Sequence, residues 1–346
     1  PITLLNNDYK IFSKALCHRL KDVMDTIISP SQKGFVPKCL IFENTHLSQL
    51  IEAHLNETNE EGVMIFCDLE KAFDACSWEY ITQASRALGF EGYMQDWFEK
   101  LYNHHNPPRR KLRINGETGA SFKLNSGVPQ GDPLSPLVFL FVTEAFSRLL
   151  ESDTEFKGIK IGSIEHRISQ FADDTVLFLR NFAQLTRMWV LLAMWEAATG
   201  MRLNRSKTEG IAAGRLKGKI ARGPEAEGIK WISPGEFTIS LGIPIGTDLN
   251  TRAFFEAKYL KCKALLANWL CIQHVTTLGR AMLANSLVYS RFRYWAQSMD
   301  IPECVTQWIE SDVQAMIWNK VLDFDPDEKG SARSSRRFMI EAAQYK

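Results

Sequence analysis

Apolar positions along the chain follow two periods, near 3.6 and near 2, and each change of period marks an element. Over residues 9–28, Ile11, Phe12, Ala15, Leu16, Leu20, Val23, Met24 and Ile27 recur at helical spacing, which predicts an amphipathic helix ended by Ser29 and Pro30. A second helix is predicted over about residues 41–55. GVMIFCDL, residues 62–69, is a short apolar run between a glycine and a charged cluster, as in a strand buried on both faces. A helix over about residues 78–88 closes at Gly89. KLRING and SFKL, split by NGETG, predict a β-hairpin within residues 109–124.

The loop NSGVPQGDPLSP then leads into a strongly apolar helix from Pro136 to about Leu150, with Ser135 as N-cap and Pro136 as first helical residue. In RISQFADDTVLFL, apolar segments 168–172 and 175–179 meet at Asp173 and Asp174, which predicts a tight hairpin. A helix through about Ala198 ends at Gly200. Beyond Ile243 the helices turn rich in Trp and Leu and predict a separate helical lobe.

At 346 residues, 45% hydrophobic, the chain is long enough for two or three lobes. A net charge of +1 offers no global argument for a polyanionic partner, so charge has to be read locally. Residues 201–222 carry seven Lys and Arg against Glu209 alone, and Arg109, Arg110, Lys111 and Arg113 form a second basic cluster. Both can follow phosphates of a nucleic acid, or simply face solvent. Arg291 and Arg293 alternate with aromatic residues that more naturally pack a core. The seven cysteines, Cys271 among them, form no CxxC pair, which predicts reduced thiols that mostly pack the core. With no long apolar run, a soluble, intracellular protein without a membrane partner is expected. The chain starts at Pro1 and reads as a segment of something longer, with flanking domains of a polyprotein expected.

Asp68 ends one buried strand, and Asp173 and Asp174 sit on a turn about 105 residues later. Converging carboxylates suit hard divalent cations, and two such ions stabilise both the attacking and the leaving oxygen in phosphoryl transfer. The plainer alternative is that Asp173 and Asp174 are ordinary turn residues. Asp74, just before a helix, reads as a cap and stays outside the metal set.

FCDLEKAFD (66–74), SGVPQGDPLSP (126–136) and FADD (171–174) resemble the successive palm motifs of reverse transcriptases from non-LTR retrotransposons. ITLLNNDYK, SQKGFVP, TGMRLNRSKTE and LGIPIG resemble the flanking blocks in the same order, and LGRAMLANSLVYSRFRYW resembles the family's thumb. The resemblance implies an α+β right-hand polymerase: fingers at 1–60, an antiparallel-sheet palm at 61–250 with a fingers insertion at about 75–125, a helical thumb at 251–320 and an extension at 321–346. It implies an RNA-directed DNA polymerase that extends a DNA primer on an RNA template with dNTPs, in target-primed retrotransposition and in the nucleus. Two Mg²⁺ ions, with Mn²⁺ as a substitute, would be held by Asp68, Asp173, Asp174 and the peptide carbonyl of Leu69. Phe73 would exclude a 2′-hydroxyl, Gln130 and Gly131 would contact nucleotide and template, Lys207 would protonate the departing pyrophosphate, and Lys10 would touch the triphosphate. The rival readings are a catalytically silent, RNA-binding relic of the same fold and an intron-maturase-type polymerase.

Overall fold

The computed structural model describes residues 3–270 and 275–318, which fall into two compact units, Pro1–Leu249 and Asn250–Lys346. The expected extension at 321–346, Cys271 and the last residues of the expected thumb lie outside the described residues.

The first unit opens with α1 (Asn7–Lys21), the single-turn α2 (Met24–Ile27) and α3 (Ile41–Thr58). The one helix expected over residues 9–28 is therefore two, broken at Asp22 and Val23. Its buried face also differs: Ser13 and Cys17 point inward, while Ile11 is 73% exposed. Ser13 is drawn in because its hydroxyl donates to a buried carboxylate, Asp132. β1 (Glu61–Cys67) follows, buried from Gly62 onward. Then come α4 (Ala72–Ala75), α5 (Trp78–Ala87) and α6 (Gly92–Leu101). Asp74 lies inside α4 and is no cap; Ser77 caps α5, accepting from the Tyr80 amide. For α6 the pattern predicts nothing, since Gly89 and Gly92 interrupt it.

β2 (Arg109–Ile114) and β3 (Glu117–Lys123) pair as the expected hairpin. Helix α7 (Ser135–Ser152) is the buried spine of the unit. Ser135 is its first helical residue rather than its cap: Leu134 stands at the cap position without a side-chain cap bond, and Asp132 braces the helix start from upstream. The Asp132 carboxylate accepts from the Leu134 amide (3.3 Å) and the Ser135 hydroxyl (3.4 Å). After α7 come β4 (Ile159–Ile161), β5 (Ile164–His166), β6 (Ile168–Phe171), β7 (Asp174–Leu179), α8 (Gln184–Thr199), β8 (Glu209–Gly214), β9 (Lys230–Trp231), β10 (Thr238–Ser240) and β11 (Ile243–Ile245).

The central sheet has the order β6-β7-β1-β8-β9. It is antiparallel except for the two-residue β9, which pairs in parallel with β8. Strand residues alternate faces. Val63, Ile65, Cys67, Leu177 and Leu179 join a core with α1, α5, α7 and α8, and α3 packs on β6 and β8.

The second unit consists, among the described residues, of α9 (Thr251–Leu270), α10 (Thr277–Ala284), α11 (Ser290–Trp295) and α12 (Glu303–Ile317), with a π-turn at Asn285–Tyr289 between α10 and α11. Its core is aromatic: Phe254, Phe255, Tyr259 and Phe292 are buried, and Trp295 packs against Phe255 and Phe292. The aromatic residues interleaved with Arg291 and Arg293 thus serve packing. Among the described residues no helix is long and apolar enough to cross a membrane.

The chain leaves α7 through Asp153, whose carboxylate accepts from the amides of Glu155 (3.0 Å) and Phe156 (2.6 Å) and from the Arg187 guanidinium of α8. The hydrogen bond from Arg187, first, and those from the amides hold this carboxyl down at about 2. A depressed carboxyl contributes stability above its unfolded pKa, and the contribution disappears as pH falls through the folded value. Asp153→Ala should cost about 1–3 kcal/mol in urea unfolding at neutral pH, with the difference from wild type shrinking as pH falls below about 4.

Candidate active site

The pairing of β1 with β7 sets the site. Cys67 stands opposite Thr175, so the next positions outward, Asp68 and Asp174, face each other across the strand ends. Adjacent strands lie about 4.8 Å apart, so residues more than a hundred positions apart in sequence share one sheet edge. Asp173 comes from the connecting turn. That turn is Ala172-Asp173, since Phe171 pairs with Asp174. The expected turn at Asp173 and Asp174 is thus displaced by one residue, and Asp174 opens β7.

Ala172 holds this turn at φ 58°, a conformation that favours glycine. What holds it there is a residue with no role in the sequence analysis. Gln32 is buried; its side-chain oxygen accepts from the amides of Gly34 and Ala172 (2.8 Å each), and its amide donates to the Ala172 carbonyl (3.2 Å). The backbone of Ser31 and Lys33 bonds to Gln170, extending the edge of β6, and Asn44 donates to Ser169 and to the Gln170 carbonyl. Gly34 passes so close that an added Cβ would stand 2.2 Å from the Ala172 nitrogen. The SQKGFVP block is therefore the seat of the aspartate turn.

Phe73, on α4, stacks on Phe139 at 4.6 Å and forms one wall of a cavity of about 340 Å³ with Pro129, Gln130, Gly131, Asp132, Ser135 and Pro136. The predicted Phe73, Gln130 and Gly131 are thus brought together, whereas none of the three aspartates forms this wall. Two devices fix it. The Val128 amide donates to the Phe73 carbonyl (2.7 Å), and Gly127, at φ 82°, lies where an added Cβ would stand 2.8 Å from the Asp74 Cα. Buried Asp132 takes hydrogen bonds from Tyr9 and Ser13 of α1 as well as from the start of α7. Tyr9, Ser13, Gln32 and Asp132 went unseen because each is a polar residue in a loop or on a helix face, and only long-range pairing gives it a task.

Leu69 bridges to Leu203. The flanking hydrogen bonds use the Asp68 carbonyl (from Asn204, 2.7 Å) and the Glu70 amide, which leaves the Leu69 carbonyl outside the ladder. This same segment carries Lys207, whose ammonium lies 3.6 Å from Asp68. Both partners are exposed, so the pair adds little stability. Lys10 is exposed on α1 beside Tyr9 and is not joined to the aspartates by any contact among the described residues. The basic stretch 201–222 is partly committed elsewhere: Arg215 pairs with Glu61, Lys217 with Asp248, and Arg205 lies over Trp189.

Desolvation and then the charges of Asp173 and Asp68 push the Asp174 carboxyl up to about 6, although its side chain still reaches solvent, which tempers the effect. Asp173 is raised too, by desolvation first and by Asp68. Negative charge is concentrated here beyond what the fold itself neutralises.

The model of the family described as reverse transcriptase (RNA-dependent DNA polymerase) matches residues 1–239. The chain belongs to the reverse transcriptase family. An uncharacterized 149 kDa protein of transposon TX1 from Xenopus laevis is 28% identical over 85% of this chain and 22% of its own length. The retrovirus-related Pol polyprotein of type-2 retrotransposable element R2DM from Drosophila melanogaster is 29% identical over 51% of this chain and 16% of its own. The non-LTR resemblance of the motifs stands with these relatives, and the chain spans less than a third of the length of each curated relative it matches here. Apo telomerase from Candida tropicalis aligns over 90% of this chain and 56% of that chain at 12% identity and a TM-score of 0.47, too distant to support further inference.

Reverse transcriptases depend on divalent metal, and the donor set here fits one in chemistry: three carboxylates with hard oxygens at two strand ends, two of them raised by desolvation first and then by neighbouring aspartates. Among the described residues no three His, Cys, Asp or Glu side chains stand close enough together to hold a metal. Asp68 instead engages Lys207, and would have to leave that lysine to join Asp173 and Asp174 in holding a cation.

Two outcomes follow for this reverse transcriptase. A raised carboxyl makes stability fall as pH rises through about 6, so Asp174→Asn should unfold at a higher temperature than wild type at pH 8 without divalent cations, by roughly 0.5–1 kcal/mol after solvent screening, and show no gain at pH 4. Gln32→Leu removes the partners of the Ala172 turn and should destabilise the first unit by about 1–3 kcal/mol, as measured by urea unfolding.

Proposed function

We propose that this chain copies RNA into DNA by adding dNTPs to a primer 3′-hydroxyl, within a longer retrotransposon protein that works by target-primed insertion in the nucleus. The observation that carries the proposal is the convergence of Asp68, Asp173 and Asp174 at one sheet edge through the β1–β7 register. In this reading the five-stranded sheet is the palm, residues 1–60 and about 75–125 contribute fingers, and the second unit is the thumb.

Asp68, Asp173, Asp174 and the Leu69 carbonyl would hold two Mg²⁺ ions, with Mn²⁺ as substitute. When bound, these supply Lewis acidity that stabilises the attacking and leaving oxygens. The protein's own residues do the rest. Phe73, braced by Phe139, closes the cavity floor against a ribose 2′-hydroxyl. Gln130 and Gly131 line the same cavity, where glycine at φ 103° lets backbone approach a nucleotide closely. Lys207, released from Asp68, carries a proton to the departing pyrophosphate. Lys10 steadies the triphosphate from α1.

The test is extension of a DNA primer on an RNA template with dNTPs and Mg²⁺. Wild type should extend and Asp173→Asn/Asp174→Asn should not, while both remain folded by circular dichroism. A folded wild type that fails to extend, with flanking sequence restored, would instead make the chain an RNA-binding relic. Phe73→Val should raise rNTP incorporation relative to dNTP by about tenfold or more, because a pocket wall that excludes a group by shape is lost.

A further inference from the structure

The β2–β3 hairpin has two unlike faces. Side chains alternate along β2 and share a face with their cross-strand partners. The pairs Arg109↔Lys123, Lys111↔Ser121 and Arg113↔Thr118 therefore put four cations and two hydroxyls on one face. The pairs Arg110↔Phe122 and Ile114↔Glu117, with Leu112, make up the other, a mixed face whose large apolar side chains are Leu112, Ile114 and Phe122. The irregularity between Lys111 and Arg113 adds its extra residue to β3, so the alternation of β2 is kept.

Arg109, Lys111, Arg113 and Lys123 are all exposed, and among the described residues none pairs with a carboxylate. Like charges set directly opposite, as Arg109 and Lys123 are, destabilise a hairpin, and an isolated two-stranded ribbon is marginal to begin with. The arrangement costs the fold stability that a polyanion lying on this face would restore. Alternate strand residues are about 7 Å apart, so Arg109, Lys111 and Arg113 form a straight row suited to successive phosphates of one strand.

The root of the hairpin fixes which strand. Pro108, Arg110 and Leu124 share a pocket wall with Gly127 and Pro129, immediately before Gln130 and Gly131. The cationic pair Arg109 and Lys123 is next in sequence to Pro108 and Leu124, which are joined by the Leu124 amide, so a strand leaving the row at this root would come to the loop that, in the polymerase reading on which this rests, meets the template.

We infer that the hairpin is an RNA-binding arm that takes the unpaired template before it is copied, holding its phosphates on Arg109, Lys111, Arg113 and Lys123.

The test is fluorescence anisotropy of a labelled RNA–DNA primer-template, either blunt or with an RNA overhang of about 15 nucleotides, over a range of salt. The proteins are the whole chain, its Arg109→Ser/Lys111→Ser/Arg113→Ser/Lys123→Ser variant, and the opposite-face variant Leu112→Ser/Ile114→Ser/Phe122→Ser, each checked for fold by circular dichroism. Neutralising the cations should weaken overhang binding by about tenfold or more and reduce the log–log salt slope by about 3, as expected for four phosphate contacts on a single strand. Blunt duplex binding and the opposite-face variant should keep the wild-type slope.

Three results would overturn the inference: overhang affinity unchanged in the folded neutralised variant, equal losses on blunt and overhung templates, or a loss confined to the opposite-face variant, which would point to a protein partner. Because the readout is binding, a wild type that grips the overhang without extending the primer would remove the polymerase reading and leave the arm in place.

Discussion

Everything in the first unit depends on the register between β1 and β7. Backbone hydrogen bonds that match Cys67 to Thr175 bring Asp68 level with Asp174, and a slip of one residue would send every side chain of β7 to the opposite face. The register is enforced by burial. Val63, Ile65, Leu177 and Leu179 face a core that also takes α7 and α8, and they cannot turn toward solvent without losing it. The same pairing that stabilises the sheet therefore gathers repelling carboxylates at its edge, a local cost carried by the packing behind them.

Around that edge the polar work is done by buried side chains. Gln32 satisfies both the amide and the carbonyl of Ala172, a residue in a conformation that would otherwise drift. Asp132 gathers donors from α1 and from the start of α7, so the Gln130 loop, the first helix and the central helix are tied together by one carboxylate. Gln32 clamps backbone, whereas Asp132 holds three hydroxyls and one amide; in both the alternative is a buried polar group without a partner, which is far more costly than the bond is favourable. This explains how a site built largely on turns can be stiff.

Much of this was legible in the sequence. The strand running up to Asp68, the FADD hairpin and the apolar helix after PQGDPLSP follow from period and punctuation, because each is decided by local contrast between apolar and turn residues. Where local pattern was the wrong guide, a long-range partner had taken over. Ser135 looked like a cap, but Leu134 holds that position and the Ser135 hydroxyl is taken by Asp132. Ile11 looked buried until Ser13 was pulled inward. The helix at Gly92–Leu101 was hidden by the glycines before it. Gln32 and Gly34 gave no sign of their task, since the contact that defines it lies 140 positions away at Ala172. The cationic face of the β2–β3 hairpin was visible as a charge cluster, but only the pairing register separates it from the mixed face behind it, which carries Leu112, Ile114 and Phe122 beside Arg110 and Glu117.

The central claim is that Asp68, Asp173 and Asp174 act together as a cation site although they come from separate strand ends. Mn²⁺ titration followed by electron paramagnetic resonance counts bound ions without relying on turnover. The account predicts that wild type withdraws Mn²⁺ from solution, up to two ions per chain with nucleotide present, and that Asp68→Asn and Asp174→Asn each reduce the bound count. Binding that is unchanged when either carboxylate is removed would contradict it.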